Sequence, residues 1–132
     1  VEYIILDKMK PIVIYSDSIL DSLSFLFSIQ GMSLFPFVVL REKFLHNPQY
    51  KITNEMLINH ETIHFKQQVE LMVIPFYVLY FLEYLIRLIM YGDSATAYKN
   101  ISFEREAFQN EMDLDYLEYR KPFSWFKYIC NS

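Results

Sequence analysis

The chain has 132 residues, room for one domain built on one core. It is apolar and unusually aromatic, with 12 Phe and 11 Tyr, and it carries a net charge of −4 with its basic residues scattered in ones and twos. That excludes the basic face a nucleic-acid binder needs, and two glycines leave little scope for a Gly-rich phosphate cradle. The single cysteine, Cys130, excludes an internal disulfide and a Cys-type zinc site and fits a reducing, cytoplasmic setting. The first residues lack the basic, apolar and small-residue regions of a secretory signal, so none is expected there.

Residues 3–6 and 11–15 are short β-branched and aromatic runs separated by polar residues, which predicts two strands of a hairpin. Ser16-Asp17-Ser18 is a turn or a helix cap for residues 19–29, a short helix or irregular segment that Gln30-Gly31 breaks. Residues 35–40 form a further β-like run. Pro36 marks it as an edge strand, because proline cannot donate to a central ladder. Such an edge can pair with an extended peptide; the plainer alternative is a strand that covers the core.

Residues 41–51 are polar and contain Asn47-Pro48, hence a loop. Thr53 or Asn54 then caps a helix over about residues 54–74, with Glu55 in its first turn. Met56, Leu57, His60, Glu61, His64, Gln68 and Leu71 form one stripe, and Pro75 should kink or end the helix. An apolar helix follows over about 76–91. From Leu71 to Tyr91 only Pro75, Glu83 and Arg87 interrupt the apolar run, and apolar residues occur all round it. Such a helix is central in a core, or it faces a partner or lipid. Its length suits a membrane span, but a charge at the bilayer centre costs about 2.5–3.5 kcal/mol. Glu83 and Arg87 also stand four apart in the favourable order for an ion pair. The expectation is therefore a buried or partner-packed helix, with contact to a membrane surface or self-association through residues 71–91 as the alternatives to a span. Gly92-Asp93-Ser94 makes a turn, residues 95–99 one helical turn, and Asn100 or Ser102 caps a last long helix over about 102–120. Lys121-Pro122 stops it, and the aromatic segment 123–129 should pack back on the domain. The fold expected is α+β, predominantly helical, with a small N-terminal β-sheet in a β-rich part over about residues 1–45.

The chemistry concentrates at His60-Glu61-Thr62-Ile63-His64, an H-E-x-x-H inside the helical pattern. Four residues is just over one turn, so both imidazoles leave the same helix face. Two neutral imidazoles hold Zn2+, and the adjacent carboxylate can take a proton from a metal-bound water. The competing reading is a polar surface or satisfied core, but only three histidines exist and two fall at this spacing. A catalytic zinc takes three protein ligands, so a third must come from His46 or from a carboxylate of the last helix. Glu104 is the choice, because it shares a face with Ala107, Phe108 and Glu111; Glu106 comes next and Glu111 third. Otherwise Glu104 and Glu106 merely complement the helix dipole.

His60-Glu61-Thr62-Ile63-His64 followed, 40 residues after His64, by Glu104 in Phe103-Glu104-Arg105-Glu106-Ala107 resembles the gluzincin branch of zinc metallopeptidases over roughly residues 53–110. The resemblance implies a zincin-like domain with His60, His64 and Glu104 as zinc ligands and Glu61 as the catalytic base. It implies hydrolysis of a peptide or protein substrate by zinc-bound water that Glu61 activates. The apolar helix after the motif is likewise similar to membrane-associated gluzincins. One position departs: Phe108 stands where that family's E-x-x-A-D setting has an aspartate, so Asn59, Glu106, Asn110 or Glu111 would have to steady a histidine ligand. Tyr98, His46, Arg105 and Tyr116 have the chemistry of an oxyanion stabiliser. The rival functions are a non-catalytic zinc-stabilised scaffold and a membrane-associated binding protein.

Overall fold

The computed structural model describes residues 8–23 and 29–130; the strand expected over residues 3–6 lies outside them. The run Ile-Val-Ile-Tyr forms strand β1 (Ile12–Tyr15), and the hairpin expected of it with residues 3–6 lies outside the described residues. β1 pairs in parallel with β3 (Phe37–Leu40), Ile12 opposite Phe37 and Tyr15 opposite Leu40. Among the described residues a hairpin is formed by β2 (Gly31–Leu34), which runs antiparallel to β3 with Phe35-Pro36 as the turn. The sheet order is β1-β3-β2.

Residues 35–40 are therefore not an edge strand. Pro36 falls in the turn, where its missing N–H interrupts no ladder, and its carbonyl accepts from Ile12 N at 3.0 Å. With both sides of β3 taken, the peptide-pairing expectation for this strand falls as well. The outer side of β2 is also occupied, since Ser33 O accepts from Gln68 Nε2 at 3.0 Å and from the Tyr77 hydroxyl at 3.3 Å. Helix α1 (Asp17–Leu23) crosses between β1 and the hairpin and buries Leu20.

After α2 (Lys43–His46), a 3-10 turn at Pro48–Tyr50 feeds directly into α3 (Lys51–Glu70). Thr53 and Asn54 are thus inside the helix and cap nothing; Asn54 Oδ1 instead accepts from the Tyr15 hydroxyl at 3.1 Å and ties α3 to β1. α3 ends at Glu70, four residues before the expected end, and the break falls at Met72 and Val73, both at positive φ (61° and 68°). Pro75 sits in the first turn of α4 (Ile74–Tyr91), where no intrahelical donor is needed. Gly92 closes α4 in the left-handed conformation, its N–H donating to Leu88 O at 2.8 Å. Asp93 caps α5 (Ser94–Lys99) by accepting from Thr96 N at 2.8 Å.

The long last helix is interrupted. α6 (Ser102–Asn110) stops about ten residues short of the expected end, and α7 (Tyr116–Tyr119) follows a turn. Asn59 explains the stop, because its Nδ2 donates to the carbonyls of Asn110, Glu111 and Asp113 at 2.9–3.2 Å. Those carbonyls are thereby turned toward α3 instead of continuing a helical ladder. A 3-10 turn at Ser124–Tyr128 buries Trp125 and Tyr128, so the aromatic tail does pack back, against α6.

α3 occupies the middle, with β2 and β3 on one side and α6 on the other. Phe76, Ile101, Phe103 and Trp125 form one apolar cluster, and Ile63, Ala107 and Tyr116 a second beneath α3. Of the two placements expected for α4, buried in the core or packed on a partner, the first fails. α4 packs along α5 and touches α3, yet Phe76 and Arg87 are its only buried residues.

Candidate metal centre

The polar stripe of α3 is buried. His60, Glu61 and His64 are 4%, 7% and 6% exposed, and Glu104, delivered by the first turn of α6, is 2% exposed. The Nε2 atoms of both rings face this one carboxylate: His64 Nε2 lies 2.7 Å from Glu104 Oε1, and His60 Nε2 lies 3.2 Å from the same oxygen. One ligand atom from each of His60, His64 and Glu104 lies within 4.8 Å of the others. Two imidazole nitrogens and a carboxylate oxygen converging on one point form a donor set that suits a divalent transition metal. α6 starts where it does because the Ser102 N–H and hydroxyl donate to Glu83 of α4, the hydroxyl at 2.6 Å, which aims the next turn at α3.

The other ring nitrogen of each histidine is also engaged. His60 Nδ1–H donates to Glu111 Oε2 at 2.7 Å, and His64 Nδ1–H donates to Gln67 Oε1 at 2.8 Å. In the neutral rings that a metal requires, both bonds select the tautomer that frees Nε2. Of the residues expected to steady a histidine ligand, Glu111 is therefore the one that partners His60. Phe108 sets its ring edge against His60 at 4.7 Å between centroids. Gln67 Nε2 donates onward to Glu106 Oε2 at 2.8 Å and to Phe103 O at 3.1 Å. Glu106 accepts from Tyr116 at 2.7 Å and is paired with Arg120, which also reaches Glu70. Glu106 therefore braces the site from behind.

Electrostatics bind the cluster tightly. Burial works against a charged His60, yet the hydrogen bonds to Glu104 and Glu111 outweigh it and lift the ring to about 10. His64 moves up in the same way, burial being overcome by the Glu104 charge. Burial would raise Glu104, but the charge of His64 and the hydrogen bonds from both rings hold it well below the usual carboxylate range. Glu61 goes the other way: burial raises it, and the two histidines only partly offset this. Its carboxylate makes no hydrogen bond to another described residue. Gly31 of β2 faces it so closely that a Cβ there would stand 3.5 Å from Glu61 Cγ and 2.7 Å from Leu40 Cδ2.

The structure brings together His60, His64, Glu104 and Glu111 and leaves His46 out, exposed on α2 beside an open cavity lined by residues 44–48, Lys51 and Asn54. Among the oxyanion candidates, the Tyr98 hydroxyl donates to Glu104 Oε1 at 3.3 Å. Arg105 donates instead to Tyr128 O and Asn100, and Tyr116 to Glu106. Sequence reasoning missed Tyr80, whose hydroxyl donates to Glu104 Oε2 at 3.4 Å, together with Gln67 and Arg120. Gln67 had a signal, since it lies three residues past His64 on the same face; Arg120, beyond a chain reversal, had none.

Fold and site together define a small, mostly helical α+β domain with a buried His-His-Glu cluster able to hold a metal ion. Compared with known proteins, the chain matches no family model, no curated protein and no solved structure.

Proposed function

We propose that the protein is a zinc-dependent hydrolase of the metallopeptidase kind, acting on peptide bonds. The observation that carries this reading is a set of three donors among the described residues, His60, His64 and Glu104, with the Glu61 carboxylate beside it making no hydrogen bond to another described residue. Closed structural zinc sites use four protein ligands, whereas catalytic ones use three. His60 Nε2, His64 Nε2 and Glu104 would hold the ion, which when bound supplies Lewis-acid polarisation of a carbonyl and acidifies a ligated water. Glu61 takes a proton from the attacking water as its oxygen adds to the carbonyl, then returns it to the amine as the C–N bond breaks. A buried carboxyl with a raised pKa suits a group that must both hold and release a proton. Tyr98, the one expected oxyanion donor whose hydroxyl reaches the carboxylate of the site, is assigned to the developing oxyanion. Glu111 and Gln67 hold the two rings in register throughout.

Metal analysis with a peptide-library assay tests this. Zinc close to one per chain, abolished by His64→Ala and by Glu104→Ala, together with cleavage that Glu61→Gln removes while zinc stays, is the expected result. Cleavage that persists in Glu61→Gln overturns the role of that residue. A second reading has its own support: with the four residues only 2–7% exposed, substrate access is narrow. Bound zinc with no turnover, and a melting temperature that falls with chelator, would assign the site to holding α3 and α6 together.

A further inference from the structure

α4 is long and apolar enough to cross a membrane by length and composition, with a mean hydropathy of 1.4, yet only 11% of it is buried. Its exposed side chains include Val78 (52%), Phe81 (58%), Leu82 (49%), Ile86 (58%) and Ile89 (85%). At 100° per residue, the exposed positions from Phe81 round to Met90 sweep about half the circumference. That arc carries no charged residue. Both charges of the helix are turned inward. Glu83 accepts from Ser102, Arg87 donates to Ile129 O at 2.7 Å, and the two lie 3.6 Å apart.

We propose that α4 docks this domain on a lipid bilayer, lying in the interfacial plane with its outer half immersed. Three features select this occupant. First, inward-turned charges with protein partners remove the cost that Glu83 and Arg87 would impose in an apolar phase. Second, the arc is too broad for one helix of a second copy, since a helix seam buries a stripe of roughly 100°, whereas lipid covers the whole arc. Third, α4 is fastened to the domain along its length, by Phe76 on Phe103, Glu83 on Ser102 and Arg87 on Ile129. It lies on the bilayer and does not leave the domain to span it. Because the chain is acidic overall, at −4, the attraction rests on apolar burial and not on anionic headgroups. The inference stands apart from the hydrolase reading, since none of its residues ligates the metal.

Flotation of the full chain with vesicles of pure phosphatidylcholine, at low and high salt, tests it. The expected result is co-flotation that salt does not weaken and that Ile86→Glu/Ile89→Glu reduces at least roughly tenfold, with zinc content unchanged. A protein that stays in the bulk phase overturns the proposal, as does a dimer that the double variant converts to monomer. Should the double variant fold poorly, an environment-sensitive dye on Ile86→Cys, in a Cys130→Ser background, replaces it. Its emission shifts blue on adding vesicles, while the same dye on Ile52→Cys of α3 does not; equal behaviour at both sites again overturns the proposal.

Discussion

α3 and α4 are consecutive helices that depart from the usual inside–outside rule in opposite directions. α3 buries Asn59, His60, Glu61, His64, Gln67 and Gln68, while α4 exposes most of its apolar side chains. Buried polar groups are tolerated only when hydrogen-bonded, and on α3 all but one find a partner: Asn59 in three carbonyls, the histidines in Glu104, Glu111 and Gln67, and Gln68 in Ser33. The exception among the described residues is Glu61, the group to which the proposed reaction assigns the proton. On α4 the unmet need is apolar, and nothing among the described residues meets it. The contrast separates a helix whose oddities are resolved inside the fold from one whose oddities point outside.

The most forceful way to break this contrast is to strip the polar side of α3 of its remote support. Arg120 pairs with Glu106, whose side chain is fully buried, and with Glu70. Arg120→Met leaves two carboxylates facing each other without a cation, and breaking such a buried pair costs about 3–5 kcal/mol. Urea unfolding of the metal-free protein measures it. A loss below about 1 kcal/mol would mean that the network is solvated and that burial of α3 rests on packing alone.

A smaller effect isolates the metal from the fold. Glu111→Ala removes the acceptor of His60 Nδ1–H but none of the donors proposed for the ion. Losing such a partner weakens metal binding about 10–100-fold, read by competition with a chromogenic chelator. An unchanged affinity would show that Glu111 is a bystander to the metal site.

Proton competition sharpens the same side further. In the metal-free protein His60 is raised from 6.5 to about 10, so its contribution is complete below pH 6.5 and fades as pH rises toward 10. Glu104 is depressed from 4.5, so its contribution is complete above pH 4.5 and fades below it. Metal-free protein is therefore most stable between about pH 4.5 and 6.5. The metal-loaded form runs the other way, because the ion needs neutral rings. The gap in Tm between the two forms should widen by about 5 °C or more from pH 6.5 to 8.5. A constant gap across that range would remove the histidines from the metal site.

How far the sequence could lead differs between the two helices. The H-E-x-x-H spacing fixed which face of α3 matters, because a four-residue step is a property of the helix itself, and the face shared with Ala107 pointed to Glu104. What could not be read was anything set by a distant partner. Asn59 ends α6 through carbonyls more than fifty residues away, so the last helix looked continuous. Pro36 reads as an edge signal until the turn that contains it is known. The apolar run gave the length of α4 but not its exposure, since composition is silent on which neighbour arrives.

The smallest expected effect tests that last point directly. Ile63 of α3 is fully buried and Ile89 of α4 is 85% exposed, so one substitution made at both sites compares like with like. Ile63→Ala removes buried methyl groups beneath the metal site and costs about 2–5 kcal/mol. Ile89→Ala in the monomer should lie within about 0.5 kcal/mol of the parent, on the stabilising side, because alanine is the better helix former. A loss above about 1 kcal/mol at Ile89 would mean that the outer face of α4 is already covered in solution, by a second copy. A neutral result leaves the face free, and then the large effect of Ile89 should emerge only when vesicles are added.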